Sequence, residues 1–235
     1  MPPVPKLTKK PVFRPKTAKT SEPIRVINTD CLEWMMTNRD EQFDFVFLDP
    51  PFNIGQDYQG YDDKQKPEDY RTWLAKVVAA AHQRCKGVLA LHGPDDLCEQ
   101  YLTTARMLSF QRIAWVNWHY RFGQCGRGNW IDSRCHCLLY NCAPKGQAYT
   151  WNPEAVLVAS DRASTYGDKR VDDYDRGGMR LPFTVWGVPS DGPNWGRIQG
   201  QNRERRPSHP NQLPEKYIAR LLRAYTKSSG TRYLL

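Results

Sequence analysis

Residues 43–48 read Phe-Asp-Phe-Val-Phe-Leu and stop at Asp49-Pro50-Pro51, an ending that constrains the fold more than any other feature of the chain. A nearly continuous apolar run of this kind is the pattern of a strand buried on both faces, as in parallel sheets covered by helices. Two prolines in a row cannot extend it, because each fixes its own φ and restricts the residue before it. The strand therefore delivers a carboxylate to the C-terminal edge of a sheet, where open α/β folds bind ligands.

The flanking sequence supplies the rest of such a sheet. Ile24–Ile27 reads as a short strand, and Thr29-Asp30 caps a helix over Leu32–Met36. Tyr70, Leu74, Val77, Val78, Ala81 and Cys85 keep helical spacing behind Pro67, which suits a first turn. Gly87–His92 is the next strand. Cys98, Tyr101, Leu102, Ala105 and Leu108 mark another helix, and strands follow at Arg112–Trp118 and Cys135–Tyr140. This alternation predicts an α/β sheet flanked by helices. From about 143 to 213 the chain turns to Gly, Pro, Asp, Arg and aromatic residues with weak periodicity, a stretch long enough to suggest function. Ile218, Leu221, Leu222 and Tyr225 then make Pro214–Thr226 an amphipathic helix. Four parts result: a tail at 1–22, an α/β part at 23–142, an irregular part at 143–208 and a final helical part at 209–235.

At roughly 150 residues per domain, 235 residues give one domain with a large insertion, or one and a half domains. Hydrophobic residues at 40% and charged residues at 25% exclude a collagen-like, coiled-coil or wholly disordered chain. The longest apolar stretches, Phe45–Leu48 and Val77–Ala81, fall far short of the roughly 18 residues a membrane span needs. The N-terminus has no apolar signal core, and seven cysteines without regular spacing argue against a disulfide framework, so a cytoplasmic location is expected. The net charge of +9 is concentrated. Lys6, Lys9, Lys10, Arg14, Lys16 and Lys19 sit among prolines in a tail without acids, read as a disordered arm, and Arg197, Arg203, Arg205 and Arg206 form a second basic group. A polyanionic partner suits both.

The turn itself suggests chemistry. An amino group on a heteroaromatic base is a poor nucleophile, because its lone pair is delocalised into the ring. Hydrogen bonds from that amine to the Asp49 carboxylate and the Pro50 carbonyl favour a pyramidal nitrogen and aim its lone pair at an electrophile opposite. Phe52 offers a flat face whose stacking offsets part of the cost of taking a base out of its helix.

With these residues in place, the sequence resembles the S-adenosylmethionine-dependent DNA amino-methyltransferases, whose base pocket is an Asp/Asn/Ser-Pro-Pro-Tyr/Phe/Trp turn. Asp49 to Asn53 would arise by chance in such a chain on the order of once in ten thousand, at about 5% usage per residue. Asp30-Cys31-Leu32 looks like the family's acidic position near the cofactor adenosine, and Asp49 to Tyr58 reads like the permuted branch in which the base pocket precedes the cofactor loop. Trp195-Gly-Arg197, Asn202 to Arg206 and His209 to Pro214 are similar to the segment leading into that branch's last helix. The resemblance implies an incomplete Rossmann-like methyltransferase sheet with flanking helices and a long irregular recognition region. It implies Asp49, Pro50, Pro51 and Phe52 as the catalytic turn. Asp30, Cys31, Asp49, His209, Asn211 and Gln212 become the S-adenosylmethionine edge. Arg121, Arg127, Arg180, Arg203, Arg205 and Arg206 become contacts to double-stranded DNA. An Asp opening the turn leans towards adenine N6 over cytosine N4. A homodimer is one arrangement the sequence leaves open, as it leaves open a restriction partner and the recognised site.

The branch continues, after its last helix, into a strand ending in Asp-Pro-Phe and a glycine-rich turn, whereas here Lys227 to Leu235 begins that strand and stops. By analogy with the family's sheet order, two strands belong between 24–27 and 43–48. The expectation is a truncated product, unstable or inactive by itself, with unpaired backbone at the gap. The alternative to an enzyme is then a non-catalytic DNA-binding remnant, separated from it by a cofactor-binding assay. Cys135, His136 and Cys137 invite a zinc reading, but strand alternation puts both thiols on one face and the imidazole on the other, so buried strand cysteines are expected and no metal. His119 reads as a packed histidine beside Trp118 and Tyr120.

Overall fold

A computed structural model of the chain describes residues 24–58, 61–124, 130–160, 162, 167, 178–206, 209, 211–227 and 230–235, with backbone alone for 121–124. Its strands are β1 (Phe43–Leu48), β2 (Cys85–Gly93), β3 (Gln111–Gln124), β4 (Asp132–Asn141), β5 (Val158–Ala159), β6 (Met179–Arg180), β7 (Val185–Trp186) and β8 (Tyr233–Leu234). Its helices are α1 (Cys31–Thr37), α2 (Pro67–Arg84), α3 (Asp95–Met107) and α4 (Glu215–Tyr225). Six strands form one mixed sheet in the order β7-β3-β4-β2-β1-β8, while β5 and β6 pair separately. β8, β1 and β2 run parallel to one another, and β3 and β4 form an antiparallel hairpin against β2.

The sheet is α/β in the expected sense, with its core in two layers. On one face Val46, Leu89, Leu91 and Leu138 meet Tyr70, Leu74, Val77 and Val78 of α2 and Leu97 and Tyr101 of α3. On the other, Phe45, Phe47, Val88, Ala90 and Leu139 meet Tyr217, Leu221 and Tyr225 of α4 and Trp186 and Trp195 of the irregular part. Burial on both faces is why β1 and β2 read as apolar runs rather than alternations. Strand β2 approaches β1 closely at Gly87, where a Cβ would lie 2.0 Å from the carbonyl oxygen of Asp44. Only glycine fits there.

Two sequence expectations change. Residues 24–27 form no strand, and Ile24 and Val26 are 84% and 92% exposed. Strand β8 takes the edge of β1 on that side and is itself the last strand of the sheet, and 24–27 does not pair with it. Strand β8 is pinned there by Arg232, whose N–H donates to Asp44 Oδ2 (3.0 Å), whose carbonyl accepts from Asp44 N (2.8 Å), and whose guanidinium pairs with Glu41. In α4 the buried stripe is Tyr217, Leu221, Ala224 and Tyr225, with Ile218 and Leu222 only flanking it. The stripe is turned by one residue because the large Tyr217 ring, not Ile218, reaches the sheet.

Candidate active site

Asp49 follows the last residue of β1, so the parallel strands place it at their C-terminal edge. Its side chain is exposed to solvent, although protein atoms crowd around the carboxyl group. Desolvation pushes it up to about 7. No hydrogen bond or ion pair among the described residues offsets that shift.

The rest of the turn is braced from two sides. Tyr70 of α2, its phenol kept protonated by burial, donates to the carbonyl of Pro51 at 2.5 Å. That bond occupies Pro51 and not Pro50. Beyond Phe52, the buried Asp63 carboxylate accepts the backbone N–H groups of Asn53 (2.8 Å), Ile54 (3.1 Å) and Gln56 (2.9 Å). Asn53 stands at φ 58°, and its side chain exchanges hydrogen bonds with the backbone of Gln65 at 3.0 and 2.8 Å.

Beneath Phe52 lies His92 at the end of β2, with ring centroids 6.4 Å apart. His92 is 1% exposed, and burial first, then the charge of His136, pushes its imidazole down to about 3. Its ring bonds the backbone of His136, and its Nδ1 lies 2.9 Å from the hydroxyl of Tyr217. Because its bond to the His136 backbone raises the ring's basicity, the ring donates there and its Nδ1 is left to accept from Tyr217. Tyr217 in turn meets the thiol of Cys137. Cys135 and Cys137 face this side of the sheet, whereas His136 turns to the other, receiving the Trp115 indole N–H at 3.0 Å on Nδ1 and meeting Asp95 through Nε2. Among the described residues no group of side chains could hold a metal ion.

The six residues expected at a cofactor edge separate into three kinds. Asp49 is central. Asp30 caps α1, one oxygen accepting from Glu33 N at 2.8 Å, and Cys31 follows it on the surface. Asn211 bonds the phenol of Tyr58, which lies close enough to Asp49 and Asp63 to feel both charges, and Tyr61 likewise feels Cys31 and Asp63. The loop after the turn thus reaches from the α1 side to Asn211 around Asp49. His209 is exposed, and the amide of Gln212 is engaged at both ends, accepting from Arg206 N (2.9 Å) and donating to Glu204 O (2.7 Å).

The expected DNA contacts also divide. Arg203, Arg205 and Arg206 are exposed together on a compact turn that Gln212 braces and Glu204 ties to the first N–H of α4. Arg180 lies in β6 with its guanidinium 3.9 Å from the Phe183 ring centre. Arg121 is in β3, known by backbone alone, and Arg127 lies outside the described residues. Strand β4 runs antiparallel to β2, and His136 faces the last residue of β2, Gly93. Residues 132–135 and the facing part of β3 therefore project past the edge that carries Asp49. Trp130 and Ile131 are exposed where this hairpin begins its return, at 91% and 58%.

The sequence offered no sign of Asp63, Tyr70, His92 or Tyr217 as parts of this site. Tyr70 was visible only as a helical core position. A separate cavity of about 350 Å³, lined in part by Trp195, Lys216, Arg220 and Arg223, opens between α4 and the irregular part, away from the Asp49 turn.

A family profile described as DNA methylase (N6_N4_Mtase) matches residues 43–232. The chain is 23% identical over 208 residues to the DNA adenine methyltransferase YhdJ of Escherichia coli K12, covering 85% of this chain and 66% of that protein. It is 40% identical over 170 residues to the type II methyltransferase M.BamHI of Bacillus amyloliquefaciens, covering 70% of this chain and 38% of that protein. The chain thus spans about two thirds or less of these curated relatives. A structure of TTHA0409 from Thermus thermophilus, described as a DNA modification methylase, aligns over 84% of this chain and 72% of its own with a TM-score of 0.47 and 16% identity.

Proposed function

Because the chain belongs to the N6/N4 DNA methylase family, we propose that it transfers a methyl group from S-adenosylmethionine to an exocyclic base amine of double-stranded DNA. The observation that carries this reading is geometric: a carboxylate at the C-terminal edge of the sheet, Asp49, opens a turn braced on either side of its aromatic residue. In this reading the target amine donates to the Asp49 carboxylate and the Pro50 carbonyl, while Phe52 stacks on the extruded base and His92 backs Phe52. Asp30, Cys31 and Asn211 hold the adenosine part of the cofactor, with His209 and Gln212 at its margin. S-adenosylmethionine supplies an electrophilic methyl group on a sulfonium. As that methyl passed to the amine nitrogen its bond to sulfur would break, leaving S-adenosylhomocysteine, and the amine's proton would go to Asp49 or to water, a carboxyl near 7 being able to take it at neutral pH.

Adenine N6 is favoured as the target by the Asp that opens the turn, and YhdJ bears adenine in its name. The projecting β3–β4 hairpin with Arg121 and Arg127, Arg180, and the turn carrying Arg203, Arg205 and Arg206 serve as the DNA-facing surface.

Calorimetric titration with S-adenosylmethionine, followed by transfer of a labelled methyl group to mixed duplex DNA, tests the proposal. Binding and label transfer that Asp49→Ala abolishes support it. Salt-dependent duplex binding without cofactor binding or transfer would leave the other reading, a non-catalytic DNA-binding remnant.

A further inference from the structure

We propose that Asp63 is a positioning residue for this transfer, fixing through the backbone of residues 53–56 where the Phe52 wall stands relative to Asp49. The inference rests on the methyl-transfer reading above. Asp63 is 3% exposed, and a buried carboxylate is costly unless its lone pairs are filled. They are filled by three N–H groups of one short segment, Asn53, Ile54 and Gln56, and the Asp63 carbonyl takes the fourth, Gly55, at 2.8 Å. Four consecutive amides thus converge on one residue ten positions downstream. Successive amides curled in this way form an anion-binding concavity, and here a residue of the same chain occupies it.

The conformation at Asn53 gives the arrangement its purpose. At φ 58° Asn53 stands in the left-handed region, which asparagine enters more readily than other side-chain-bearing residues, and it is held there by its N–H bond to Asp63 and its side-chain bonds to Gln65. Asn53 directly follows Phe52, so its φ sets the direction in which the chain leaves the aromatic wall. Tyr70 fixes Pro51 on the near side and Asp63 fixes Asn53 on the far side, which leaves Phe52 between two anchored peptides. Asp63→Asn replaces one acceptor oxygen by an NH₂ group facing backbone donors. Asn53 then relaxes towards negative φ and the ring moves. A displacement of about 1 Å at such a site costs roughly 100-fold in rate.

The test is a double-mutant cycle of Asp63→Asn with Phe52→Ala, assayed below the melting midpoint of the weakest variant, with Asp62→Asn as a control. Asp63→Asn is expected to lower kcat about 30-fold with KM for S-adenosylmethionine within about two-fold, since the loss is one of orientation. In the Phe52→Ala background the same change is expected to cost less than about three-fold, because its effect passes through that ring. Losses that multiply, or a rise in KM with kcat intact, would overturn the proposal. If the wild-type chain transfers no methyl group, the methyl-transfer reading fails. Asp63 is then decided by the same cycle read as quenching of 2-aminopurine in a single-stranded oligonucleotide. Quenching lost in each variant and not further in the double supports the role. Quenching unchanged by Asp63→Asn, or absent from wild type, refutes it.

Discussion

The hydroxyl of Tyr217 lies 2.9 Å from Nδ1 of His92 and joins α4 to the end of β2 directly beneath the ring of Phe52. Both residues are fully buried, so the bond is made away from water and holds the imidazole in one tautomer. Tyr217→Phe should therefore leave an unfilled acceptor and cost about 1–3 kcal/mol, measured by urea unfolding. An unchanged stability would mean that the pair contributes nothing net.

His92 also sets an acid limit. Its folded value near 3 lies below the unfolded value of 6.5, so the folded chain binds fewer protons than the unfolded chain between those limits. Stability from this group is complete above about 6.5 and is lost as pH falls towards 3, with a slope of about 1.4 kcal/mol per pH unit. Asp49 acts in the opposite sense between 3.8 and 7, where the folded chain holds the extra proton. Each group differs by about one proton between the folded and unfolded chain, so the two slopes oppose each other between about 3.8 and 6.5. Asp49→Asn should steepen the acid loss between pH 4 and 6.5, and denaturation midpoints along a pH series will show whether it does.

Catalysis should follow the same carboxyl from the other side. If the ionised Asp49 accepts the amine, single-turnover transfer at saturating DNA rises with pH through about 7 and levels above it. Asp49→Asn is expected to lower the rate at least 100-fold and to remove that inflection. An inflection that survives the substitution would assign it to another group.

Tyr70→Phe removes the bond to the Pro51 carbonyl and nothing else of size. The expected outcome is a stability loss of about 1 kcal/mol and a fall in kcat of roughly 10-fold, with little change in cofactor KM. Steady-state kinetics on the two variables separates this from a loss of fold.

For the basic turn, replacing Arg203, Arg205 and Arg206 together by Ala should reduce the slope of log K against log salt by about 0.9 for every phosphate that the turn neutralises. Duplex binding measured between low and moderate salt gives that number. A slope equal to that of wild type would remove this turn from the DNA surface.

Much of the α/β frame was legible because burial on both faces leaves a coarse mark in composition: Phe43–Leu48, Gly87–His92 and Cys135–Tyr140 all lie in strands. The place of Asp49 at the end of a buried strand was legible for the same reason, since two prolines after an apolar run stop it there. Residues 24–27 misled because three β-branched residues in four record propensity but not which strand, if any, the chain finds to pair with. Asp63 was hidden because an acid among Asp57, Asp62 and Lys64 looks like solvated surface, and only three dimensions show which carboxylate turns inward. His92 and Tyr217 lie 125 positions apart, and no local pattern couples them.

Strands β5 and β6 are short, but they meet in register, Val158 opposite Arg180 and Ala159 opposite Met179, with Ser160 N donating to Gly178 O at 2.9 Å. The chain between them therefore departs from and returns to a single rung. Doubling the length of a segment tethered in this way costs only about 0.6 kcal/mol in closure entropy. What β5 and β6 fix is therefore the closure between Ser160 and Gly178, and that closure is only weakly sensitive to how many residues lie between them.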